Sequence, residues 1–77
     1  MKELIEHIAK SLADKPEAVR IREQRRRGAL VYELSVAQQD MGRIIGKGGR
    51  VANAMRQLLR AAATVQGEGR VELDIRD

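Results

Sequence analysis

Apolar positions near the start of the chain fall at Leu4, Ile5, Ile8, Ala9 and Leu12. This is the i, i+1, i+4, i+5, i+8 spacing of one helical face and predicts a helix over residues 2–13. Glu3 and Glu6 near its start and Lys10 near its end suit the helix dipole. Asp14-Lys15-Pro16 closes it, because the residue before a proline is pushed out of the helical region. The period then changes. Val19 and Ile21 alternate with Arg20 and Arg22, predicting a strand over 18–26. Leu30, Tyr32, Leu34 and Val36 share one face of a second strand over 29–36. Arg27-Gly28 between the two predicts an antiparallel hairpin.

Helical spacing returns after Asp40, an expected N-cap. Residues 41–45 read as a short helix halted by Gly46. Residues 50–66 carry the longest apolar stripe, through Val51, Ala54, Met55, Leu58, Leu59, Ala62 and Val65, with Gly67 as its left-handed cap. Val71, Leu73 and Ile75 alternate with Glu72 and Asp74 in a last strand over 70–76. The order α-β-β-α-α-β predicts an α+β two-layer sandwich: three helices on one face of a three-stranded sheet. A chain of 77 residues makes one domain, expected to span 1–77. So short a chain buries a thin core and leans on tight packing or a partner.

Composition narrows the chemistry. The net charge is +4 and the pI about 10.1, a balance that favours polyanions. Tyr32 is the only aromatic residue, which argues against a binder that stacks bases on aromatic rings. With no cysteine, disulfides and thiolate metal sites are excluded. The single histidine, His7, does not make a zinc site and reads as a solvated side chain, so neither metal nor cofactor is expected. Ser11, Ser35 and Tyr32 have no base or orienting group near them in sequence, and no catalytic residue is assigned. No apolar run approaches the roughly 20 residues of a membrane span, and Met1-Lys2-Glu3-Leu4-Ile5-Glu6 lacks a signal peptide's apolar core. A cytoplasmic protein without membrane insertion is expected.

Four of the seven glycines, Gly42, Gly46, Gly48 and Gly49, lie within eight positions. A nucleotide-binding P-loop fails at both ends: Met41 stands five before Gly46, and Gly48 follows Lys47. The dinucleotide fingerprint fails at Val51 and lacks a preceding strand. What fits is a G-x-x-G clamp, Gly46-Lys47-Gly48-Gly49, between two helices. Without side chains at its ends, a sugar-phosphate backbone can approach the loop's own N–H groups at the start of the next helix. Lys47 and Arg50 add cations. Arg43 sits early in the short helix, where it opposes the dipole, and is a candidate phosphate contact. Ile44, Ile45 and Val51 are either groove lining or core; Leu34 and Val36, on the strand expected beside the groove, read as core. Arg56 and Arg60 lie one turn apart on the exposed side of the long helix, where a solvated face and backbone contact are both open. Arg25, Arg26 and Arg27 read as a solvated turn that a polyanion's footprint can reach.

The stretch "IIGKGGRVANAMR", residues 44–56, resembles the signature of KH domains, I-I-G-x-x-G followed by a helix. The element order is similar to the type II, or prokaryotic, KH topology. "LIEHIAKSLADKPEAV" and "DMGRIIGKGGRVANAMRQLLRAAA" extend the likeness to the stand-alone bacterial KH RNA-binding proteins of the KhpA family, over nearly the whole chain. One departure is Ala52, where many KH domains carry a bulky aliphatic residue; this implies a shallow groove and weak base selectivity. The resemblance implies single-stranded RNA as ligand, with Ile45, Gly46, Lys47, Gly48, Gly49, Arg50, Arg43, Ile44 and Val51 as contacts. It also implies a homodimer, pairing with a larger KH protein of the KhpB (Jag, EloR) kind, and roles in post-transcriptional regulation and cell elongation or division. The alternative is a protein-interaction module in which the glycine loop and long helix form a dimer surface.

Overall fold

A computed structural model describes all residues, 1–77. Helix α1 spans Lys2–Leu12, strand β1 Arg20–Arg26, strand β2 Ala29–Ser35, helix α2 Met41–Ile45, helix α3 Arg50–Val65 and strand β3 Val71–Arg76, with 3-10 turns at Pro16–Ala18, Gln38–Asp40 and Lys47–Gly49. The order is the expected one. α1 stops one residue early, because Ala13 is already extended (φ −79°, ψ 140°). β1 starts two residues late, because Pro16 opens a 3-10 turn that carries the chain through Ala18.

β2 is the central strand. It runs antiparallel to β1, from Arg20 opposite Ser35 to Arg26 opposite Ala29. It runs parallel to β3, from Leu30 beside Val71 to Ser35 beside Arg76. A parallel neighbour cannot be reached by a tight turn. The segment holding α2 and α3 makes the crossover, on the same side of the sheet as α1. Ile5, Tyr32, Leu34, Ile44, Met55 and Leu59 fill the space between the layers, each at most 2% exposed. Burial, reinforced by Glu23, pushes the Tyr32 hydroxyl up to about 12.

Asp40 stands at the N-cap position of α2, as expected, but its side chain makes no capping hydrogen bond to the helix. Its carboxylate, fully buried, instead accepts the backbone N–H groups of Asp14 and Lys15, each at 3.0 Å. These bonds, Lys15 first, hold the carboxyl below the usual carboxylate range. Asp40 thereby ties the exit of α1 to the entrance of α2.

The buried face of α3 is also narrower than its apolar stripe. Ala52, Met55, Leu59 and Ala63 are buried, while Leu58 is 46% and Val65 87% exposed. A helix in a two-layer domain has a sheet on one side only. The exposed apolar positions, Ala54, Leu58, Ala61 and Val65, follow a second line of helical spacing that faces solvent, with Val51 and Ala62 half-buried between.

Candidate nucleic-acid interface

The glycine loop is built from backbone conformations that side chains avoid. Gly46 has φ 79° and ψ 169°, a region essentially confined to glycine. A Cβ there would also stand 2.5 Å from Val51 Cγ2 and 2.9 Å from the Val51 backbone nitrogen. Val51 is half-buried and packs against the core, so Gly46 is fixed by close approach as well as by torsion. Gly48 (φ 64°) and Gly49 (φ 79°) are left-handed. A Cβ at Gly48 would meet nothing within 4 Å, so its requirement is conformational only.

This chain path turns the loop directly into α3. No side chain caps the start of α3; the 3-10 turn that feeds it bonds the Gly49 N–H to the Gly46 carbonyl at 3.1 Å and the Arg50 N–H to the Lys47 carbonyl, and the loop lies at the positive end of the α3 dipole. Lys47 and Arg50 are exposed and make no ion pair in the structure. Two free cations thus flank a glycine-rich helix start that carries no side-chain cap.

The neighbouring candidates divide. Ile44 is fully buried and Ile45 is 37% exposed. Ile44 is therefore core and is withdrawn as a contact: consecutive residues on a short helix point about 100° apart, so one of the pair had to face inward. Arg43 is already engaged, 3.2 Å from Asp14 and 4.0 Å from Asp40. Those carboxylates account for a cation where the dipole alone would not favour one. Leu34 and Val36 are core, and their strand does not border a groove, because β2 is central and β3 holds the edge.

A cleft of about 190 Å³ between α3 and β3 is lined by Arg56, Leu59, Arg60, Val71, Glu72 and Leu73. Arg56 reaches across it to the Leu73 carbonyl at 3.5 Å. Arg56 and Arg60 thus stand on the lip of an apolar-floored cleft, rather than on a featureless solvated face. They lie about 9 and 15 Å along the helix from Arg50. Sequence reading missed the cleft because it depends on β3 returning parallel beside β2. The signal present was the pair of arginines bracketing Leu59.

The family model described as "KhpA/KhpB, KH domain" matches residues 2–75. "RNA-binding protein KhpA" of Halalkalibacterium halodurans is 52% identical over 77 residues, all of both chains. The protein of that name from Clostridium perfringens is 52% identical over 82% of this chain and 84% of its own; that from Chlamydia pneumoniae is 48% identical over 97% and 95%. These relatives are named as binding proteins, not enzymes. Among solved structures, Era of Aquifex aeolicus (the Y63A variant bound to GDP.AlF4-) superposes with a TM-score of 0.66 at 18% identity, over 97% of this chain and 29% of that one. At that identity the likeness concerns the fold alone.

Proposed function

The chain belongs to the KhpA/KhpB KH-domain family, and from that membership and the loop geometry we propose that it binds single-stranded RNA. Gly46 to Gly49 receive the sugar-phosphate backbone, Lys47 and Arg50 neutralise phosphates, and bases splay along Ile45 and Val51 toward the α3–β3 cleft. The observation that carries this reading is the glycine loop itself: three positive-φ glycines leading into an uncapped helix, flanked by two unpaired cations. A clamp of this kind holds about four nucleotides, so one module binds weakly and two linked modules bind far better.

Self-association is the companion reading. It is supported by the exposed line Ala54, Leu58, Ala61 and Val65 on α3, a surface suited to a second copy or to a larger KH protein of the KhpB kind. A cytoplasmic location and roles in post-transcriptional regulation and cell elongation or division complete the proposal, on family grounds.

The test is binding of a short fluorescent single-stranded RNA to the wild type and to the K47D/G48D variant, with circular dichroism and sedimentation alongside. Gly48 has open space, and aspartate tolerates left-handed backbone, so the variant is expected to fold. Loss of binding by a folded variant supports the clamp. Equal binding, or a change in association alone, makes the loop an interface instead.

A further inference from the structure

The sheet face away from the helices is not bare. Ala29, Val31 and Glu33 point to it from the central strand, yet each is at most 6% exposed. Arginine side chains surround them. Register places Arg20, Arg22 and Arg26 of β1 and Arg76 of β3 on this face, and Arg27 and Arg70 stand at its hairpin end. Glu33 lies beneath, accepting from Arg26 at 2.9 Å and Gln24 at 3.1 Å, with Arg76 at 3.5 Å and Arg22 at 4.0 Å. One buried carboxylate thus orients three guanidinium groups. Six arginines against Glu33, Glu72 and Asp74 leave an excess of three positive charges here, out of the net +4.

At the hairpin end, a cleft of about 490 Å³ lies over Ala29 and Val31, between Arg26, Arg27 and Arg70 and the carboxylates of Glu72 and Asp74. Both carboxylates are matched, Glu72 by Arg70 at 2.7 Å and Asp74 by Arg76. Arg27 joins no ion pair and is the one non-glycine residue at positive φ, 52°. A two-residue hairpin turn favours asparagine, aspartate or glycine at such a position. An arginine held there against backbone preference marks a candidate functional position.

Glu72 lines both this cleft and the α3–β3 cleft, so the two meet across the edge strand. We propose that RNA held at the glycine loop continues past Arg56 and Arg60, crosses β3 at Glu72 and lays further phosphates on Arg70, Arg27 and Arg26. The inference rests on the RNA-binding reading and lengthens its footprint. Phosphate is the ligand chemistry the face suits, since forked guanidinium groups match it. A protein partner fits less well: interfaces have apolar centres, and the exposed large apolar residues, Leu4, Leu12, Ile45, Leu58 and Val65, all lie on helices. The two stations are separated by the length of α3, whose 16 residues span about 24 Å. At about 3.4 Å per stacked nucleotide, four nucleotides cover about 14 Å and twelve about 41 Å.

The experiment measures the affinity of a four-nucleotide and a twelve-nucleotide single-stranded RNA for the wild type, R27N/R70Q and K47D/G48D. Arg27→Asn suits the turn and Arg70 is exposed, so the fold is retained. R27N/R70Q is expected to lose about tenfold on the longer RNA and nothing on the shorter, and the slope of log affinity on log salt becomes shallower by about 1.4. An unchanged affinity for the longer RNA, or an equal loss at both lengths, overturns the extended path. So does a change in sedimentation without a change in RNA binding, which would make the face a protein surface. K47D/G48D reports separately: loss of both RNAs there, with R27N/R70Q unchanged, leaves the clamp standing and removes only the extension. Retention of both RNAs by K47D/G48D, or no binding by the wild type, removes the clamp and the extension together.

Discussion

Two turns at opposite ends of α3 use left-handed backbone for different reasons. In the glycine loop the positive φ values fall on Gly46, Gly48 and Gly49; in the β1–β2 turn they fall on Arg27 and Gly28. In the proposed clamp, the first turn removes side chains so that a ligand can touch the main chain. The second keeps a long cationic side chain where glycine or asparagine would be easier. On the proposed reading the glycine loop contributes main-chain shape and the hairpin contributes charge. Even within the loop the glycines are not equivalent, since only Gly46 is crowded as well as twisted.

Within the two turns the largest effect is expected from Gly46→Ala. Its Cβ would meet Val51, including that residue's backbone nitrogen at 2.9 Å, in a conformation that only glycine adopts readily. Combined strain and overpacking are expected to cost about 3 kcal/mol, a fall of about 15 °C in Tm for a domain this small. Gly48→Ala meets open space and is expected to lose about 1 kcal/mol from torsion alone. Thermal unfolding followed by circular dichroism checks both, and equal losses would erase the distinction between the glycines.

Asp40→Asn comes next and separates the loop's scaffold from its surface. The folded-state carboxyl of Asp40 lies below its ordinary range because the Lys15 and Asp14 N–H groups bind the ionised form. Its stabilisation is therefore present above an unfolded value of about 4 and is lost as pH falls through the lower folded value. The variant should unfold at lower urea than the wild type at pH 7, with the gap closing below about pH 4. A gap independent of pH would mean that packing, not charge, is what Asp40 supplies.

Arg27→Asn acts in the opposite direction. Asparagine accepts the left-handed turn position, so the variant is expected to gain about 0.5–1 kcal/mol and a few degrees in Tm. A stabilised protein that binds long RNA less well would show that Arg27 is kept for its charge, whereas unchanged stability would mean that the turn carries no strain.

How much of this was legible follows from how local each feature is. The hairpin, the three helices and the G-x-x-G loop each rest on spacing within a few residues, and each stands where that spacing puts it. The position of β3 was not readable, because alternation of Val71, Leu73 and Ile75 says that a strand forms but not which neighbour it joins. The α3–β3 cleft was missed with it. Asp40 read as an N-cap because its neighbours in sequence are a helix start, whereas its partners Asp14 and Lys15 are more than twenty residues away. Arg43 looked like a misfit for the same reason. Ile44 and Ile45 could not be separated by pattern, since only packing decides which of two adjacent isoleucines turns inward. Glu33 gave no signal at all: in sequence it is the polar position of an alternating strand, and only a three-strand register surrounds it with arginines.

The smallest effect on folding is expected where α3 faces solvent, and there the contrast between scaffold and surface is sharpest. Leu58 is 46% and Val65 87% exposed, whereas Leu59, next to Leu58 in sequence, is 1% exposed. Leu59→Ala removes a buried side chain and is expected to cost about 2–5 kcal/mol. Leu58→Gln with Val65→Gln changes solvent-facing positions and is expected to stay within about 0.5 kcal/mol in the isolated chain. If the outer line of α3 joins a second copy, that same pair of substitutions lowers the sedimentation coefficient at a given concentration. It also weakens binding of RNA long enough to span two modules, while affinity for a four-nucleotide RNA stays as it was. Unchanged sedimentation would leave the exposed line without a partner of its own kind. A large loss of stability at low concentration would instead mean that folding and association are one step, as in dimers with no stable monomer, and the distinction between a buried and a free face of α3 would then hold only within the assembly.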